Sequence, residues 1–319
     1  MVLMALRRAG ATALVVAMVT TGAASPALAQ ASSASAARSA LQKLTANDAF
    51  PYTQLDIRLP RVSGPGVTAR EATLVTGLEL VVATEQAAKQ GQPAASELSV
   101  YYRGTELGEL RALGGNLYVL LDVAHWAALP VQWGASAKKE LSAVDLALGE
   151  RWFELSGAML KGLGAKLKGL GARGATSSVP SALGQVGLSP AALRNLVLTA
   201  VTKLADGMGW AEAPSAGGNL AFSAHGTLKS LAGEALSVSK ALHLSTGQPQ
   251  ASSVPQGTYS VLMTTADAGR YIGHVDIGLE AVARGSLSLS LAFAHATEPV
   301  AAPQGAKLVT PQMLSGMGL

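Results

Sequence analysis

Cysteine is absent from all 319 residues, and that absence removes several chemistries at once. The chain has no disulfide, no thiolate nucleophile, no zinc–thiolate centre and no lipobox cysteine to carry an acyl anchor. Charge is scarce too: charged residues are 14% of the chain, well below the quarter usual for globular domains. The formal balance of +4 includes Arg7 and Arg8 of an N-terminal leader, so only a mild basic bias remains and no nucleic-acid footprint. Beyond the leader no apolar run reaches about eighteen residues, the length that reads as a membrane span, so no span is expected. What is present is apolar. Hydrophobic residues make up 49% of the chain, ample for a buried core.

Met1 to Ala29 reads as a secretory signal peptide. Arg7-Arg8 is followed by an apolar run from Ala11 to about Val19, and then by Ala27-Leu28-Ala29 ahead of Gln30. Small residues at the −3 and −1 positions fit a signal peptidase pocket, which predicts cleavage after Ala29 and an extracytoplasmic, secreted product. The paired arginines lack the flanking pattern of a twin-arginine signal, so the general secretory route is expected, with the twin-arginine route as the alternative.

The mature chain of 290 residues divides by texture. Residues 30–48 form a Ser/Ala-rich spacer, flexible or helical; residues 49–305 are expected as one domain, and 306–319 as a tail. From Glu97 to Arg103 apolar and polar residues alternate, with Leu98, Val100 and Tyr102 on one side, as in a half-buried strand. Gly104-Thr105 is expected to turn the chain into a second strand over Glu109–Ala112, and Gly114-Gly115-Asn116 into a third over Leu117–Val123. In the C-terminal third, Tyr259, Val261 and Met263 form one apolar row and Tyr271, Val275, Ile277 and Leu279 another. Ser286 to Ala294 is the cleanest strand, with Leu287, Leu289, Leu291 and Phe293 opposite its serines. Helices are predicted at Ala124–Leu129, at Ser142–Leu148, and after Ser189-Pro190, where serine caps and proline opens the first turn. Strands dominated by antiparallel turns, with helices set against one face, define an α+β class.

Residues 161–188 form a basic, glycine-rich insert in which Lys161-Gly162-Leu163-Gly164 recurs as Lys168-Gly169-Leu170-Gly171. It reads as a flexible solvated loop. A basic lip touching anionic lipid or polymer, or an amphipathic helix ordering on a surface, are the alternatives.

Catalytic and metal-binding patterns are hard to find. Gly134-Ala135-Ser136-Ala137 runs into Lys138 rather than the glycine of a nucleophile elbow. Gly164 to Gly169 has phosphate-loop spacing but is followed by Leu170-Gly171, without the lysine and hydroxyl such a loop needs. His125, His225, His243, His274 and His295 never fall at i, i+3 or i+4 spacing. No enzyme, metal or cofactor is therefore expected. Convergence of His274 or His243 with Asp276 and a serine in one cleft would reverse that expectation. Four tryptophans, Trp126, Trp133, Trp152 and Trp210, are candidates for core packing or for lining a cavity or its mouth.

Leu107 to Leu129 resembles an actinobacterial pattern in which a strand ends in Gly-Gly-Asn, a Leu-Tyr-Val strand follows, and an Asp-containing bend leads into a short Leu-rich helix. Gly149-Glu150-Arg151-Trp152-Phe153-Glu154-Leu155 and the closing stretch Leu289 to Pro303 are similar to two further segments of the same family. The family is the mycobacterial LppX/LprAFG-like lipoproteins, akin to the lipoprotein carriers LolA and LolB. The resemblance implies a half-barrel, a curved antiparallel sheet with helices on its concave face around an apolar cavity. It also implies a carrier of lipid or glycolipid-like ligands, with cell-envelope components as further partners. One departure stands out: Gln30 occupies the place of the lipobox cysteine, so this chain is expected to be released rather than tethered.

Burying an acyl methylene is favourable by about 0.8 kcal/mol, so an apolar cavity needs no charged anchor. The expected liners are the inward rows Val119, Leu121, Val261, Met263, Val275, Ile277, Leu289 and Leu291, with Trp126 and Trp152 at the cavity or its mouth. The competing reading is a secreted interaction or structural module on the same scaffold, its core filled by side chains.

Overall fold

The computed structural model describes residues 35–40, 54–85, 95–131, 151–157, 159, 194–195, 197–202, 208–215, 219–231, 254–266, 271–282, 284–294 and 299–310. The leader, the Ser142–Leu148 helix, the 161–188 insert, Ser189-Pro190, Trp133, His243 and His295 lie outside them. Residues 35–40 of the spacer are helical, with Ala37 and Ala40 buried.

The chain forms two compact units, residues 1–77 with 194–295, and residues 78–193 with 296–319. The first contains β1 (Gln54–Ser63), α1 (Ala69–Gly77), β7 (Ala211–Ala213), β8 (Ala221–Thr227), β9 (Gly257–Ala266), β10 (Tyr271–Ala281) and β11 (Gly285–Ala294). Its strands lie in the order β1-β11-β10-β9-β8-β7, every neighbour antiparallel. The second contains β2 (Leu78–Thr84), β3 (Ser96–Tyr102), β4 (Thr105–Leu113), β5 (Asn116–Leu121), α2 (Val123–Ala127), β6 (Phe153–Leu155) and β12 (Lys307–Leu308). Its order is β12-β6-β5-β4-β3-β2, antiparallel except for the parallel pair β12–β6. The class is α+β, built on an open antiparallel sheet.

Local chemistry explains the element boundaries. Two hairpins in the second unit close through two-residue loops. Arg103 (φ 50°) and Gly104 (φ 81°) link Tyr102 to its partner Thr105, and Gly114 (φ 59°) and Gly115 (φ 84°) link Leu113 to Asn116. Two successive positive φ values match the right-handed strand twist. The first turn therefore centres one residue earlier than Gly104-Thr105. Helix α1 opens with a reciprocal capping box: Glu71 N–H donates to Thr68 Oγ1 (3.2 Å), and Thr68 N–H donates to Glu71 Oε2 (2.9 Å).

Three bulges bend the strands. Leu59-Pro60 on β1 face only Leu289 between the pairs Arg58↔Ser290 and Arg61↔Ser288, a place where a residue without an N–H is tolerated. Gly273 is the extra residue on β10, between Ile272↔Thr265 and His274↔Thr264. It brings Ile272, 1% exposed, to the core-facing position that simple alternation assigns to Tyr271. Leu107 is the extra residue on β4, between Val100↔Gly108 and Tyr101↔Glu106. Its carbonyl, turned toward β5, accepts from Asp122 N–H (3.0 Å) in continuation of the β4–β5 register and from Trp126 Nε1–H (2.7 Å), which pins α2 onto β4.

Candidate functional site

In the first unit, six of the expected liners form one contiguous patch. Leu291 pairs with Val275 and Val275 with Met263; on the next row Leu289 pairs with Ile277 and Ile277 with Val261. Leu55, Ile57, Phe222, Ala224, Tyr259, Leu279 and Phe293 continue the same face, all buried. Met263 is fully buried and Leu291 is 1% exposed; among the six only Ile277 is half-buried. Helical residues Val197, Leu198, Ala200 and Val201 of the same unit are buried as well. The sheet residues sit together, and all but Ile277 are buried.

The second unit differs. Cross-strand pairing places Leu80, Val100, Gly108 and Leu121 in one row, and Val82, Leu98, Leu110, Val119 and Phe153 in the next. Val82 and Phe153 are buried, but Leu80, Leu98, Val100, Leu110, Val119 and Leu121 keep partial exposure. Val119 and Leu121 thus belong to an apolar face that stays partly exposed. Trp126 stands on α2, half-buried, its ring nitrogen bound to the Leu107 carbonyl. Its helix is capped by Asp122, which accepts from His125 N–H through Oδ1 (2.9 Å) and lies 2.6 Å from His125 Nδ1 through Oδ2.

Trp152 is placed elsewhere. Its ring stacks on the Arg111 guanidinium (4.9 Å to the ring centre), and Arg111 pairs with Tyr118, which pairs with Glu154. That is the opposite face from Val119, so Trp152 does not line the same surface. The face holds a charged cluster that the sequence reading does not anticipate. Arg111 Nε contacts Glu109 Oε1 and lies 3.1 Å from Glu97 Oε2, and its Nη1 donates to the Ala301 carbonyl (2.9 Å). Ser99 Oγ donates to Glu97 Oε1 (3.3 Å). Burial pushes Glu109 up to about 7; the Arg111 bond opposes this and the hydrogen bond and charge of Glu97 reinforce it. Burial also raises Tyr101 on the same face, against the lowering effect of its Ser99 bond.

His274, Asp276 and a serine do meet, on the polar face of the first unit. Ser290 Oγ lies 3.0 Å and Asp276 Oδ1 3.1 Å from the same atom, His274 Nε2. A nucleophilic relay needs the carboxylate on one ring nitrogen and the hydroxyl on the other. Both partners on one nitrogen leave the hydroxyl unactivated. Ser290 is also mid-strand with ladder partners on both sides, Arg58 and Asp276, a setting without the free amides of an oxyanion hole. The trio is a polar surface network. Among the described residues no group of three His, Cys, Asp or Glu side chains is placed to hold a metal ion, and no helix is long and apolar enough to cross a membrane.

No family model matches the chain, and no curated protein sequence matches it. Among solved structures, the crystal structure of the Mycobacterium tuberculosis lipoprotein LppX is similar at 12% identity and a TM-score of 0.34, over 85% of this chain and 99% of that one.

Proposed function

We propose that this protein is a secreted, non-enzymatic binding protein for a lipid-like, acyl-chain-bearing ligand, and that Val119 and Leu121 belong to the surface that receives it. The observation that carries this reading is the partly uncovered apolar face of the second unit, formed by Leu80, Leu98, Val100, Leu110, Val119 and Leu121. An apolar face with no charged group within its rows favours a ligand recognised by burial alone. The leader ending at Ala29 and the resemblance of Leu107–Leu129 to the LppX/LprAFG-like lipoproteins point the same way. In this reading Val261, Met263, Val275, Ile277, Leu289 and Leu291 support the fold from a closed core, and Gln30 leaves the mature chain free to diffuse within the cell envelope or beyond it.

The second reading, an interaction or structural module, is favoured by that closed core, since a sheet face filled by side chains needs no ligand. Native mass spectrometry of the secreted protein, followed by organic extraction, separates the two. A stoichiometric lipid adduct is expected. A clean apo mass that persists after incubation with envelope lipid extract, on protein shown to be folded, overturns the carrier reading.

A further inference from the structure

Residues 299–309 cross the second unit on three kinds of attachment. Val300 N–H donates to Glu85 Oε1 (2.7 Å), the Ala301 carbonyl accepts from Arg111 Nη1 (2.9 Å), and β12 joins β6 through Lys307 N–H to Trp152 O (2.8 Å) and Val309 N–H to Glu154 O (2.9 Å). All three therefore involve a charged side chain or a residue stacked upon one. Between Pro299 and Ala306 the segment itself has no charged residue.

Arg111 is the common member. Its guanidinium holds Ala301, stacks on Trp152, and faces two carboxylates, Glu109 on its own strand and Glu97 directly across on β3. We propose that Glu97, Glu109 and Arg111 form a proton-governed clasp that keeps residues 299–309 docked while the carboxylate pair retains a proton, and releases them when both are ionised. One guanidinium can neutralise one buried carboxylate. With a proton between them, Glu109 and Glu97 are joined by a hydrogen bond and the cluster is neutral overall. Without it, a second negative charge lies beside the first in a partly desolvated site and competes with the Ala301 carbonyl for the single Arg111 guanidinium.

Among the described residues, the cross-strand partners on this face bring no further cation. Glu106 and Tyr101 stand on the adjoining part of β4 and β3, Glu79 on β2, Tyr118 on β5 and Glu154 on β6. These side chains are acids or phenols, and Glu154 is held by Asn116 Nδ2 (2.6 Å). Lys307 is the first cation on the segment, and it lies in β12 across from Phe153.

Linkage sets the shape of the response. Glu109 titrates near 7 in the docked state, against 4.5 for a solvated glutamate. The undocked population therefore rises by up to about tenfold per pH unit between those values and levels off above 7. The test is amide hydrogen exchange on the intact chain from pH 5 to 8.5, corrected for the intrinsic rate, read at Val300, Lys307 and Val309. Protection is expected to fall with rising pH in the unmodified protein and to stay high and flat in Glu109→Gln, which keeps the hydrogen bond and cannot ionise. Flat protection in the unmodified protein, or an equal slope in the variant, overturns the proposal. A carbon NMR titration of the Glu109 carboxyl in the unmodified protein guards against a misfolded variant. A Glu109 midpoint more than about one unit above the pH at which the exchange response levels off overturns the proposal equally.

Discussion

Glu109 shows how one side chain ties a local environment to the stability of its unit. Its carboxyl titrates near 7 in the folded state because burial penalises its charge more than Arg111 relieves it. A raised carboxyl pKa means the folded state binds more protons than the unfolded one between about 4.5 and about 7. The stabilisation is therefore full below 4.5 and is lost as pH rises through 7. After allowance for solvent screening, denaturant titration should find the second unit about 1–3 kcal/mol less stable at pH 8 than at pH 5, and Glu109→Gln should remove most of that difference. Gly226 makes a steric counterpart in the first unit. A Cβ there would collide with the Tyr259 ring, which lies across the β8 backbone and whose burial raises its phenol pKa. Gly226→Ala should lower the unfolding free energy by about 1–3 kcal/mol, because the buried ring has to leave its position.

At the level of elements, turn chemistry and bulges decide which residues meet. Gly104 sits at φ 81°, where an L side chain is strained, so Gly104→Ala should cost about 1–2 kcal/mol and weaken the β3–β4 hairpin, measurable by thermal unfolding. Strands with strict alternation were legible from the sequence alone: β3, β5, β9 and β11 lie where the apolar rows of 97–103, 117–123, 259–263 and 286–294 put them. The Glu97–Glu109–Arg111 cluster was not legible, for two physical reasons. Centring the turn on Gly104-Thr105 misplaces every β3–β4 partner, and the bulge at Leu107 shifts the register once more. Only with both corrections does Arg111 land opposite Glu97, and nothing in the hydropathy pattern marks a one-residue bulge. Gly273 acts in the same way on β10, giving Ile272 a core position that alternation assigns to Tyr271. Trp152 escaped for a related reason: its place is set by stacking on a cation two strands earlier in the sequence, which a count of tryptophans does not contain.

Across the described residues, one pattern of apolar rows is buried to two different degrees. Leu289, Leu291, Val275, Val261 and Met263 are buried as deeply as any core, whereas Val119, Leu121, Leu98 and Leu110 keep contact with solvent although their rows are as apolar. Identical sequence texture therefore does not separate a buried row from a partly exposed one; the covering elements do. The difference makes the two sets respond oppositely to mutation. Met263→Ala removes atoms from a filled site and should cost about 2–5 kcal/mol in unfolding free energy, while affinity for a fluorescent fatty-acid probe changes by less than about threefold at temperatures where the protein remains folded. Val119→Trp adds bulk at a half-covered position. It should leave the unfolding midpoint nearly unchanged and weaken the probe by about tenfold or more, equivalent to about 1.4 kcal/mol. If instead Met263→Ala abolishes binding and Val119→Trp leaves it intact, the ligand is seated against the first unit, and its sealed face must open to admit an acyl chain.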